Sequence, residues 1–141
     1  MENKLLTRAR DLLERATGLW PPRDVEFEWA DDLPAGVSGS FNKRHRLIKV
    51  AVDCRAPKLT LVHELAHAVH WDATRYAHVC DAEIERFDVC AELMVEVMLY
   101  GEIRWRYDSH RKSNAIYKQA EGWFENHPTQ VRDWMAYVLC F

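Results

Sequence analysis

Residues 61–72, LVHELAHAVHWD, set three histidines, a glutamate and an aspartate into an otherwise apolar run. Polar groups in such surroundings are costly to bury unless something pairs with them. His63, Glu64 and His67 have the spacing HExxH. Residues four apart on a helix share a face, so both imidazoles can address one ion. Neutral imidazole nitrogen is a preferred zinc ligand at ~2.0–2.1 Å. Glu64 lies roughly 100° further round the helix, beside the ion, where it can take a proton from an activated water. The chemistry to expect is hydrolysis of a peptide bond at a single zinc, with Glu64 as general base. His70 shares the histidine face, but ligands at 63, 67 and 70 would spread over ~10.5 Å of helix axis. One ion with ~2 Å bonds does not reach both ends, so His70 is expected beside the ligands or at the rim of the site.

The third ligand must come from another element. A metzincin would place a histidine at position 73, where this chain has Ala73. Residues 81–100 form the longest helical pattern, stopped by Gly101. On a helical wheel, Ile84, Phe87, Cys90, Ala91, Met94 and Met98 make one apolar face. Glu83 falls within that face, whereas Glu85, Asp88, Glu92 and Glu96 fall on the polar side. A carboxylate on a buried face needs a partner, and a metal supplies one. Glu83 is therefore the first choice for third ligand and Glu85 the second. A first-turn glutamate is also favoured simply by the helix dipole.

The elements that must carry these residues follow from periodicity. Leu5, Leu6, Ala9, Leu12, Leu13 and Ala16 recur at helical spacing, and Gly18 with the following WPP ends that helix. VEFEW (25–29) alternates as a half-buried strand, DDLPAG reads as a turn, and VSGSF (37–41) reads as a second strand. The polar tip NKRHR (42–46) leads into LIKVAV (47–52), with Ile48, Val50 and Val52 on one face. Short connections predict an antiparallel meander. Helices over 58–72, 81–100, 113–125 and 128–140 complete a single α+β domain spanning 1–141.

Composition narrows the function classes. The 141 residues carry a net charge of −3, with 48% hydrophobic and 29% charged. An acidic balance argues against a general nucleic-acid binder, and NKRHR reads as a solvated hairpin tip. No apolar run approaches the ~18–20 residues that cross a bilayer, and MENKLLTRAR has no signal-peptide core. Cys54, Cys80, Cys90 and Cys140 show no CxxC spacing, which fits reduced thiols and a cytoplasmic setting. Tyr76, His78, Tyr107 and His110 are candidate donors to an oxyanion, and spacing does not choose among them. Trp123 and Trp134 read as core.

The segment TLVHELAHAVH (60–70) resembles the active-site helix of the gluzincin metallopeptidases, particularly the compact ImmA/IrrE type. The resemblance implies a small zincin-like domain: three antiparallel strands before the HExxH helix, then a second helix whose glutamate completes the zinc site. It implies zinc peptidase chemistry with His63 and His67 as ligands, Glu64 as base, and a specific intracellular protein as substrate or regulatory partner. FDVCAELMV (87–95) fits the second helix through Asp88, Ala91 and Met94. With Asp88 as anchor, however, the family's ligand position falls on Ile84, flanked by Glu83 and Glu85, and the proline that usually ends that helix is absent. In zincin-like folds an extended substrate pairs with a sheet edge. By that resemblance the edge here is VSGSF, where the small Ser38, Gly39 and Ser40 would admit another backbone. Two alternatives stay open. SprT-like proteases acting on DNA-bound proteins also favour HELAHA, but want a third histidine in a glycine-bearing motif, whereas His78 is followed by Val79. A protein-interaction module could instead hold a structural zinc in a closed set of His63, His67, Glu83 and either His78 or Cys80.

Overall fold

The computed structural model describes residues 3–77, 79–104, 111 and 114–140. Helix α1 (Lys4–Thr17) starts where the Asn3 side chain accepts from the backbone N–H groups of Leu5 and Leu6, and ends at Gly18 with φ of 76°. Three short strands follow: β1 (Glu26–Ala30), β2 (Gly39–Asn42) and β3 (Leu47–Ala51). Helices α2 (Pro57–Thr74) and α3 (Asp81–Tyr100) come next, then α4 (Ala115–Asn126) and α5 (Pro128–Val138). The fold is α+β with the N-terminal helix first, as the periodicity predicts, and element boundaries agree to within a few residues.

The strand order does not agree. The expected meander would put β2 in the middle, but the order is β1-β3-β2 and the sheet is mixed. β1 runs parallel to β3, with Phe27 beside Ile48 and Trp29 beside Val50. β2 is antiparallel to β3, with Gly39 opposite Val50 and Phe41 opposite Ile48. The physical reason lies in the sequence of β3. Ile48 and Val50 are fully buried, whereas Trp29 of β1 is 48% exposed, so the most apolar strand takes the centre. Residues 31–38 then bridge across the end of β3, a span of about two strand spacings near 10 Å, rather than making a tight turn. Only the β2–β3 connection is a hairpin, closed where Asn42 Oδ1 accepts from the N–H groups of Arg44 and His45, each at 3.0 Å. Val52, expected on the buried face, lies past the strand and is 61% exposed.

α2 is the central helix. It packs against α1 and α3, and against β2 and β3 of the sheet. Its Leu61, Val62, Leu65, Ala66 and Ala68 are fully buried. α3 packs against α1, α2 and α4. Residues 87–96 of α3 are buried without a break, so this helix has no solvent face over its middle turns. That corrects the wheel, which assigned Asp88, Glu92 and Glu96 to a polar side: their exposures are 0%, 5% and 0%. Met98, assigned to the apolar face, is 41% exposed. No helix among the described residues is long and apolar enough to cross a membrane, and all four cysteines are unpaired.

Candidate metal centre

On α2, His63 and His67 stand one turn apart with ring centroids 5.1 Å from each other. Opposite them α3 presents acidic residues at 85, 88 and 92, spacings of three and four that keep them on one helix face. Glu85 reaches both rings through its two oxygens: Oε1 is 2.9 Å from His63 Nε2 and Oε2 is 3.6 Å from His67 Nε2. The other ring nitrogens are held from behind. Glu92 Oε1 is 2.6 Å from His63 Nδ1, and Asp88 Oδ2 is 2.7 Å from His67 Nδ1. Both imidazoles thus turn Nε2 toward the same carboxylate; Glu92 hydrogen-bonds His63 Nδ1, while His67 Nδ1 has the Asp88 carboxylate beside it and the Tyr76 hydroxyl at 3.3 Å. Histidines that bind metals are oriented in this way. One ligand atom from each of His63, His67, Glu85 and Asp88 can be chosen so that all lie within 4.8 Å of one another.

Electrostatics fit a cation. Burial works against a charged His63, but the hydrogen bonds of Glu85 and Glu92 outweigh it and raise its pKa well above the ordinary value. Burial likewise opposes charge on His67, and the Asp88 carboxylate overcomes it, so that pKa is raised too. Asp88 is fully buried, and burial lifts its pKa to about 6 against the pull of His67. Its contact with His67 is close but not aligned with a ring N–H, so both carboxylate oxygens lack a hydrogen-bond donor. A buried carboxylate in that condition is costly unless a cation lies near. The donor set of two imidazoles and carboxylate oxygen suits zinc.

Glu64 is 6% exposed and its pKa is raised by burial, against the attraction of His63 and His67. It lies where two clefts of about 530 and 790 Å³ meet, and both are lined by Gly39, His63, Glu64 and Glu85. Ser38 lines the first cleft and Ser40 the second. The small residue at 39 does a different job from the one expected of it. A Cβ there would stand 2.6 Å from Thr60 Cγ2 and 3.3 Å from Glu64 Cγ, so Gly39 admits α2 rather than an incoming backbone.

Glu83 is exposed in the first turn of α3 and lies outside the histidine group, whereas Glu85 is inside it. The wheel favoured Glu83 because it took the apolar stripe as the face turned to α2; the histidines face acidic residues at 85, 88 and 92. Those acidic residues, three or four apart in an otherwise apolar helix, are the signal that identifies Glu85. Ile84, on which the family register falls, lines the larger cleft. His70 is not at the rim and lies outside the four-residue group. It is fully buried against Phe87 and Tyr76, with ring centroids at 4.8 and 5.1 Å, and neither nitrogen has a hydrogen-bond partner. Tyr76 lines the larger cleft, donates its hydroxyl to the His67 carbonyl at 3.1 Å and lies 3.3 Å from His67 Nδ1. Cys80 is exposed and outside the group. His78, Tyr107 and His110 lie outside the described residues. Sequence reasoning missed Arg111 and Tyr117, which reach Glu92 at 2.5 and 2.8 Å and line the smaller cleft. Comparisons with family models, with curated proteins and with solved structures find no match to this chain.

Proposed function

We propose that this chain is a zinc-dependent peptidase of the gluzincin kind, a zincin-like domain acting on a specific intracellular protein. The observation that carries the reading is the convergence of His63 Nε2 and His67 Nε2 on Glu85, with a carboxylate behind each ring. His63, His67 and Glu85 would hold the ion, which when bound acidifies a water and polarises a scissile carbonyl. Glu64 opens on both clefts and is the base: it accepts the proton of the attacking water and delivers it to the leaving amine. The two clefts would take the substrate on either side of the cut bond. An extended substrate would lie along β2, whose outer edge is unpaired among the described strands.

Asp88 supports a second reading. Its orphaned oxygens lie within the four-residue group, and a closed set of four ligands would make the zinc structural in a protein-interaction module. The buried Glu64 has no purpose in that case. Replacement of Glu64 by glutamine separates the two readings, because the amide keeps the shape but cannot take a proton. Zinc content should stay at one per chain while cleavage of a peptide substrate, followed by mass spectrometry, falls to background. Undiminished cleavage by Glu64→Gln would remove Glu64 as the base.

A further inference from the structure

Behind the candidate ligand His63, Glu92 heads a buried chain of polar groups whose further members the hydrolytic reading does not use. Glu92 Oε1 takes His63 Nδ1 at 2.6 Å and the Tyr117 hydroxyl at 2.8 Å. Glu92 Oε2 accepts from an Arg111 terminal nitrogen at 2.5 Å, while the other terminal nitrogen lies 2.9 and 2.8 Å from the two Glu96 oxygens. Glu92 and Glu96 are one turn apart and buried, so without a cation between them their charges would repel in a low dielectric. The Arg111 fork occupies that position, and its geometry suits two carboxylates at once. The Tyr117 hydroxyl shares its acceptor atom with His63, which fixes where that oxygen points. Tyr117 comes from α4 and Arg111 from the segment before it, so the C-terminal part of the chain reaches the ring of a residue on α2.

We propose that Arg111 and Tyr117 are positioning residues for the metal centre: by locking Glu92 they hold the proton of His63 on Nδ1 and aim Nε2 at the ion. The inference rests on His63 being a ligand, not on peptide hydrolysis. Neither residue touches the ion. A carboxylate that turns away releases the ring to rotate or to carry its proton on the wrong nitrogen, and the loss of such outer partners typically weakens metal binding by about 10–100-fold.

The test uses the full chain as wild type, Glu92→Gln, Arg111→Lys and Tyr117→Phe, with zinc affinity measured by competition against a chromophoric chelator. In parallel, nitrogen-15 shifts of the His63 ring are recorded with zinc bound. Glu92→Gln and Arg111→Lys should each weaken zinc by about 10–100-fold, and Tyr117→Phe by about fivefold for one lost hydrogen bond. The wild-type ring should bind zinc through Nε2 and keep hydrogen on Nδ1. A wild type that takes up no zinc would overturn the metal reading itself. Wild-type zinc binding with all three variants within twofold, or zinc on His63 Nδ1, would overturn the positioning role alone. If the arginine or glutamate variants do not fold, Tyr117→Phe, which removes one oxygen, and the wild-type ring shifts still decide it. Failure to find a cleaved peptide would leave all these outcomes readable.

Discussion

The meeting of His63 and His67 was legible from spacing alone, because the i, i+4 geometry of a helix puts them on one face. Their third partner was not, and the reason is local. A helical wheel sorts residues by polarity and assumes that the polar side faces water; at 85, 88 and 92 it faces two imidazoles instead. Each of these carboxylates lies against histidine, arginine or tyrosine, and none of those neighbours is near in sequence. Gly39 was singled out for smallness but assigned the wrong neighbour. Its missing side chain makes room for Thr60 and Glu64. Gly39→Ala should therefore destabilise the protein by about 1–3 kcal/mol through overpacking. It should also lower kcat on the order of tenfold or more by displacing Glu64, with zinc content unchanged. Thermal unfolding and metal analysis of the variant check both halves; a variant as active and stable as wild type would show that the contact gives way freely.

At the scale of elements, eight residues between β1 and β2 decide the sheet. The strands themselves were visible as alternation in VEFEW and LIKVAV, but alternation says nothing about who pairs with whom. A run such as DDLPAG reads as a turn whether it closes a hairpin or crosses the end of a neighbouring strand. What favours the crossing is burial: β3 alone has two fully buried branched residues to place at the centre. Backbone amide exchange tests the order directly. Residues 47–50 have a paired strand on both sides, so their amides should exchange slowest in the sheet, with alternate amides of β1 and β2 exchanging faster. Slowest exchange in residues 39–42 would restore the meander. The same reasoning explains α3, whose continuous burial over residues 87–96 hides its true faces from any periodicity. Its limits, Asp81 and Gly101, were nevertheless legible, since the acidic first turn and the left-handed glycine are local signals.

Taken whole, the molecule places a polar centre inside its core. His70 is the sharpest instance: fully buried, with no partner for either nitrogen. Burial, aided by the nearby His67, lowers its pKa to about 4 from 6.5. Its folded state resists the proton that the unfolded chain accepts, so stability from this group is complete above about pH 6.5 and falls as the pH drops toward about 4. His70→Leu should remove that loss. In metal-free protein, the unfolding temperature of the variant should exceed that of wild type by more at the acid end of this window than at neutral pH. Parallel profiles would mean that His70 is not held neutral. Zinc stoichiometry in the wild type, Glu85→Ala and Glu83→Ala tests whether His63, His67 and Glu85 hold the ion. Since metal binding is coupled to folding free energy, all three are to be read by metal analysis alongside unfolding. One zinc per chain is expected in the wild type and in Glu83→Ala, with zinc lost or weakly held in Glu85→Ala; no zinc in the wild type, or loss in Glu83→Ala with retention in Glu85→Ala, would contradict this ligand set.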